Sequence, residues 1–228
     1  MDFLFQGFLQ AFKLLLTGDP ETYSAVAATV TVSSYAMAVS LLMGIPLGFA
    51  LGHFRFPGRR AVRLVVDTML SLPTVFVGLM VYALISRQGP LGQMGLLFTL
   101  PGIAIGQTLL ALPVVIALGA TTVESMDANL RTMLISLGAG RRQLLLGILW
   151  EARHGLVEAG LTAYGRVMTE VGIAMMVGGN IKWHTRTITT AIALETSKGM
   201  FAMGIALGMV LLLIAFFTTS AASLIKRK

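Results

Sequence analysis

Residues 100–123 read LPGIAIGQTLLALPVVIALGATTV, two dozen positions without a charged side chain. As a helix this stretch rises about 36 Å, enough to cross the roughly 30 Å hydrocarbon layer of a bilayer. Lipid offers backbone N–H and C=O groups no partners, so a segment this apolar must satisfy them within itself, and it reads as a membrane helix. The surrounding chain agrees. Of 228 residues, 56% are hydrophobic and 12% charged, whereas a soluble domain carries about a quarter charged residues.

Four further apolar stretches have spanning length: 23–52, 62–86, 155–179 and 200–225. All five are expected to be helices of one membrane domain, residues 1–228, giving an all-α membrane protein with about five transmembrane helices. Residues 1–21 carry Phe5, Phe8, Leu9 and Phe12 but are too short to span. They lack a basic start and a small-residue cleavage site, so an interfacial segment fits better than a signal peptide. Pro46, Pro73 and Pro113 fall inside spans, where each removes a backbone donor and tends to kink the helix, while 25 glycines permit close helix contact. Both residues are commoner in membrane helices generally, so no single proline decides anything.

The formal charge of +7 raises nucleic acid as a partner. The basic residues punctuate apolar blocks instead of forming a stripe, which favours topology over nucleic-acid binding. Arg55, Arg59, Arg60 and Arg63 fall in the first loop, Arg131, Arg141, Arg142 and Arg153 in the third, and Lys226, Arg227 and Lys228 in the tail. The opposite side holds only Lys13, Arg87, Lys182, Arg186 and Lys198. Because cytoplasmic loops hold the excess of Lys and Arg, the N-terminus is expected outside and the C-terminus in the cytoplasm, a parity that five spans satisfy. The chain is thus expected to cross a membrane several times. Without cysteine it has no thiolate chemistry. No Gly-x-x-x-x-Gly-Lys-Ser/Thr loop appears, so any ATP must be bound by another polypeptide.

The cytoplasmic loop 124–154 has helical patterning of its own. Asp127 is placed to cap a helix in which Leu130, Met133, Leu134 and Leu137 recur on one face, and Gly138-Ala139-Gly140 ends it. Arg141 and Arg142 open a second run that continues through Trp150 toward the fourth span. Such a helix lies on lipid headgroups or in a partner's groove, and periodicity does not separate these. The fourth span holds Glu158, Arg166, Thr169 and Glu170. Arg166 and Glu170, four residues apart, either form a structural pair, within one chain or across a two-fold, or face a pathway. His184 and Trp183 suit an interfacial position, and His53 and His154 fall across the membrane from them, so no metal site is expected.

The loop resembles the coupling loop of ABC importer permeases, whose pattern is Glu-Ala-Ala, three residues, Gly, nine residues, then Ile-x-Leu-Pro. Gly138 and Ile148 match, whereas Thr132, Met133 and Leu134 stand at the Glu-Ala-Ala positions, and Trp150 and Glu151 replace Leu and Pro. More specific is the run Gly165-Arg166, Thr169-Glu170-Val171-Gly172, Gly178-Gly179-Asn180, Thr185-Arg186-Thr187 and Ala191-Ile192, which resembles permeases of molybdate, sulfate and tungstate importers. The ending Glu195-Thr196-Ser197-Lys198-Gly199 looks most like the tungstate branch. Similarity extends upstream through Ser71-Leu72-Pro73-Thr74-Val75-Phe76-Val77-Gly78 and Gly106-Gln107-Thr108-Leu109-Leu110-Ala111-Leu112-Pro113.

The resemblance implies a type I ABC importer permease fold. It also implies a homodimer, a cytoplasmic ABC ATPase dimer that binds ATP and Mg, and an extracytoplasmic oxyanion-binding protein. This chain would be a transport subunit of a bacterial or archaeal cytoplasmic membrane, not an enzyme, and would bind no cofactor. Leu130, Met133, Leu134, Leu137, Gly138, Arg141 and Arg142 are then the residues expected to couple to the ATPase. In the outer loop 180–199, Asn180, Lys182, Thr185, Arg186 and Thr187 offer basic and hydroxyl groups to a tetrahedral dianion, or are ordinary surface groups or contacts to the binding protein. Tungstate is the expected substrate, with molybdate and sulfate as alternatives. A passive anion channel and a membrane-embedded enzyme are the rivals, the latter disfavoured by the absence of paired metal ligands and of a serine elbow.

Overall fold

The computed structural model describes residues 2–126 and 128–226 and, among them, contains helices and no strands. Asp2–Leu16 forms α1 and Pro20–His53 forms α2. A reversal at Gly18, in the left-handed region at φ +66°, joins them. Asp19 then caps α2, its Oδ2 accepting from Thr22 N at 2.8 Å, with Pro20 in the first turn, where no N–H is needed. The chain continues as α3 (Arg59–Met69), α4 (Thr74–Ile85), α5 (Leu100–Glu124), α6 (Ala128–Ser136), α7 (Arg141–Met168), α8 (Gly172–Gly178), α9 (Ile188–Ser197) and α10 (Phe201–Lys226).

The centre of the molecule is the α2–α5 pair. A Cβ placed on Gly44 would lie 2.8 Å from Val115 Cγ1, on Gly48 2.9 Å from the Ile116 carbonyl oxygen, and on Gly52 2.7 Å from that of Ala120. Numbers rise together along both helices, so the two run parallel with their backbones in contact, as small residues at every fourth position allow. Two consecutive parallel crossings require the chain to return between them, and α3 with α4 makes that return. In turn α7 runs antiparallel to α5. Gly155 packs on Thr122, Gln107 Nε2 donates to the Val167 carbonyl at 3.4 Å, and Gly178 of α8 packs on Ile103 of α5. Together α7 and α8 therefore cover the length of α5.

By length and apolarity, α2, α5 and residues Phe201–Ser220 of α10 each suffice to cross a membrane, and α3 plus α4 qualify as one broken span. Among the described residues that makes three such helices, or four crossings with the broken pair, and two of the five expected continuous helices are corrected. The stretch 62–86 is not one helix: α3 and α4 meet at 99° across residues 70–73. Pro73 supplies the cause, since it has no N–H and pushes Leu72 out of the α region. The stretch 155–179 is not one helix either. It starts earlier, at Arg141, continuous with the loop, and stops at Met168 before α8 resumes at Gly172.

Against α10, α1 buries Ala11 and Leu14 among Ala206, Leu207 and Val210. Its opposite side leaves Phe5, Phe8, Leu9 and Phe12 exposed, a surface suited to lipid. The basic loops gather at one end. Arg59 pairs with Glu124 at 2.5 Å and donates to Leu51 O at 2.7 Å, and Arg63 reaches Glu124 at 3.6 Å and Thr121 Oγ1 at 2.8 Å. The groups expected outside, Lys182 and Arg186, meet Glu21 at the start of α2. The cap assigned to Asp127 and the tail residues Arg227 and Lys228 lie outside the described residues.

Candidate functional site

The two helix breaks touch each other. Arg166, near the end of α7, donates from Nη2 to the carbonyl of Leu70, in the α3–α4 break, at 3.2 Å. Across the second break, the start of α8 rests on the start of α4: a Cβ on Gly172 would lie 3.1 Å from Val75 Cγ2 and 3.2 Å from Thr74 Oγ1. One turn on, Gly78 lets α4 approach Ile173 Cα to 3.1 Å by the same measure. An interrupted helix frees backbone carbonyls and amides, which at membrane depth must be met by protein or by a water-filled path. Here Arg166 meets one of them.

Glu170 meets another. It is 7% exposed, and its Oε1 accepts from Ile173 N at 3.1 Å, capping α8. Thr189 Oγ1 donates to its carbonyl at 2.9 Å. Arg166 and Glu170, expected to pair four residues apart, form no ion pair within the chain, because the helix ends between them and Glu170 leaves the face that Arg166 occupies. Thr169 closes α7, its hydroxyl donating to Gly165 O at 3.1 Å. Glu158, Thr162, Arg166 and Thr169 form an exposed polar strip along α7, a face too polar to leave in hydrocarbon. Gln107, which adds a donor to Val167 O beside the break, was missed in the sequence. A lone amide in a span otherwise free of polar side chains of its size was the available signal.

At the basic end, α6 and α7 form the expected helix–turn–helix. Gly138 stands at φ +82° after α6, where an L side chain is strained. Gly140 N donates to Gln143 Oε1 at 2.8 Å, and Arg141 and Arg142 open α7 exposed. The expected apolar face divides. Leu134 is turned inward over Gly147, and Leu130 lines a 430 Å³ crevice with Met126 and Ala152. Met133, which lines the same crevice, and Leu137 are 60% and 73% exposed, joined by Ile135, which the sequence reading passed over.

In the outer loop Lys182 is exposed, whereas two of the threonines turn inward. Thr185 and Thr187 are neither ligand-facing nor on the surface. Thr185 is fully buried, donating to Gly178 O at 2.5 Å and accepting from Ile181 N at 3.1 Å. Thr187 caps α9 through Thr190 N at 3.3 Å, and Thr190 Oγ1 accepts from Thr187 N at 3.0 Å. These hydroxyls satisfy the backbone of the loop itself. Asn180, at φ +52°, accepts from Arg186 Nε at 3.2 Å. Arg186 and Lys182 both pair with Glu21, Lys182 at 2.6 Å. Asp19, Glu195 and Lys198 line the same crevice, Lys198 pairing with Glu195 at 2.9 Å, so cations and carboxylates balance here. Glu21→Gln is expected to cost no more than about 1 kcal/mol of stability, since the pairs are partly exposed. Thermal unfolding of the purified variant checks this.

Residues 44–228 match the family described as binding-protein-dependent transport system inner membrane component. The chain is 49% identical to a tungstate uptake system permease protein of Campylobacter jejuni, over 95% of this chain and 90% of that one. It is 40% identical to the tungstate uptake permease of Peptoclostridium acidaminophilum, over 95% of each. To the molybdenum transport system permease of Escherichia coli it is 29% identical, over 89% of this chain and 94% of that one. In fold it superposes on a chain of a bacterial alginate ABC transporter crystallised with its alginate-bound periplasmic protein. There the TM-score is 0.75 at 18% identity, covering 96% of this chain and 84% of that one.

Proposed function

Since the chain belongs to the family of binding-protein-dependent transport system inner membrane components, we propose that it is the permease of an ATP-driven tungstate importer, working as a homodimer. The observation that carries the mechanism is the hydrogen bond from Arg166 to Leu70 O, which ties two interrupted crossings together in the middle of the fold. A second copy seated on the polar strip of α7 would enclose Arg166 and Thr169 between the protomers, where a cation and a hydroxyl favour an oxyanion. Glu170 serves as the cap that shapes the break and not as an anion ligand, because a carboxylate in contact with a dianion is repelled.

Power comes from elsewhere. The chain is not an enzyme, and an ABC ATPase dimer that holds ATP and Mg grips Met133, Ile135 and Leu137 together with Arg141 and Arg142. Movement of α6 passes directly into α7, since only residues 137–140 separate them, and α7 ends at the break. The excess of Lys and Arg in its loops supports a cytoplasmic position for this end and an outside position for the Lys182–Arg186 end, where the outer loop meets the oxyanion-loaded binding protein. Tungstate is favoured over molybdate by the higher identity to the two tungstate permeases.

The test is reconstitution of the chain in vesicles with its ATPase and binding protein. ATP-dependent tungstate uptake is expected, at least about ten-fold above molybdate at equal concentration, the ratio that a 1.4 kcal/mol preference gives. Equal uptake of sulfate would refute the substrate assignment, and anion flux without ATPase would make the chain a channel.

A further inference from the structure

The helix α7 has a second exposed face, on the opposite side from the polar strip. There it forms, with α2, an apolar groove of about 950 Å³. Met37, Leu41 and Ile45 of α2 make one wall. Leu149, Trp150 and Leu161 of α7 contribute to the other, and Gly160 keeps the floor open. Arg153 is the one charged residue among those lining it. Its guanidinium stacks on Trp150, Cζ lying 4.5 Å from the ring centroid, and donates once to Trp150 O at 2.6 Å. A guanidinium carries five N–H donors, so most remain for a ligand.

The groove has a measurable depth. Arg153 lies two residues before Gly155, which packs on Thr122 near the end of α5, where Glu124 binds Arg59 and Arg63. That is the polar boundary of the molecule. The α7 lining runs from Leu146 to Tyr164; Leu146 to Trp150 lie on the α6 side of Arg153, and from Arg153 to Tyr164 the helix rises about 16 Å, close to the ~15 Å of one bilayer leaflet. A cation at the boundary beside an interfacial tryptophan, above an apolar trough one leaflet deep, is complementary to a phospholipid with a negative headgroup.

We infer that this groove binds one anionic phospholipid in the leaflet on the α6 side, its phosphate on Arg153 and an acyl chain lying between α2 and α7 toward Tyr164. A second copy of the chain is the competing occupant. A two-fold interface buries the same patch on both protomers, and the polar strip on the far side of α7 is the face that must be shielded from hydrocarbon. The groove is then left to lipid.

The chain has two tryptophans, Trp150 in the groove and Trp183 in the outer loop. Trp183→Phe makes Trp150 the sole fluorescent reporter. The full chain is reconstituted in phosphatidylcholine vesicles containing acyl-brominated phosphatidylglycerol or acyl-brominated phosphatidylcholine, so that only a seated chain quenches. Brominated phosphatidylglycerol is expected to quench at about five-fold lower mole fraction, the preference one cation gives near an anionic headgroup. Arg153→Gln should bring the two lipids level while quenching by phosphatidylcholine persists, and Arg153→Lys should keep the preference. Equal quenching in the unsubstituted groove, or a preference that survives Arg153→Gln, would overturn the site. Absence of quenching by either lipid would also overturn it, placing protein in the groove.

Discussion

Replacing Met133 and Leu137 together by Asp is expected to release the ATPase from the membrane subunit altogether. Leu137 is 73% exposed, and Met133, at the mouth of the crevice it shares with Leu130, is 60% exposed, so neither side chain belongs to the subunit's core. Seated in a partner's groove they would bury two carboxylates without partners. Each such charge costs several kcal/mol, and even about 3 kcal/mol lowers affinity by more than a hundred-fold. The measurement is co-purification of the ATPase with the tagged permease, together with ATP-driven uptake. The permease should still insert and purify, and a wild-type yield of ATPase would remove α6 as the docking element. Leu134→Asp answers a different question, since Leu134 lies over Gly147 and its loss damages the subunit's own fold.

Glu170→Leu is expected to reduce uptake at least ten-fold and to lower the yield of folded protein. The leucine leaves Ile173 N buried without its acceptor, at a cost of about 1–3 kcal/mol. It also unfastens the start of α8, where Gly172 rests on Thr74 and Val75. Glu170→Gln retains an oxygen at the accepting position and should keep folding and uptake within about two-fold, since the hydrogen bond rather than the charge is what α8 needs. Comparable losses in both variants would show that the negative charge itself matters to transport.

Much of this architecture was legible in the chain. Segments 23–52, 100–123 and 200–225 read as single helices and are single helices, because hydropathy and length suffice when a crossing is unbroken. The interruptions were hidden for a physical reason. A window of apolar residues averages over residues 169–171 without registering that the helix has stopped. Pro73 marked the other break, yet Pro46 and Pro113 sit inside helices that continue through them. What separates the cases is tertiary: α2 and α5 are pressed together along Gly44, Gly48 and Gly52, and that packing carries the helix past each proline.

At the site, Arg166 and Glu170 were found by their cost in a membrane, but their roles came apart only when the end of α7 was known. The outer-loop threonines were read as ligand groups or surface because a hydroxyl's partner depends on where the next helix begins. Thr187 and Thr190 form a reciprocal cap that no charged residue announces. Likewise Ile135 fell outside the one-face pattern that drew attention to Leu130 and Leu134.

Backbone contact between α2 and α5 leaves no layer of side chains on which one could slide over the other, so the pair turns as a single stiff spar. The interruptions at residues 70–73 and 169–171 are the joints beside that spar, and the Arg166–Leu70 hydrogen bond links them, so a push arriving along α7 at one is handed on to the other.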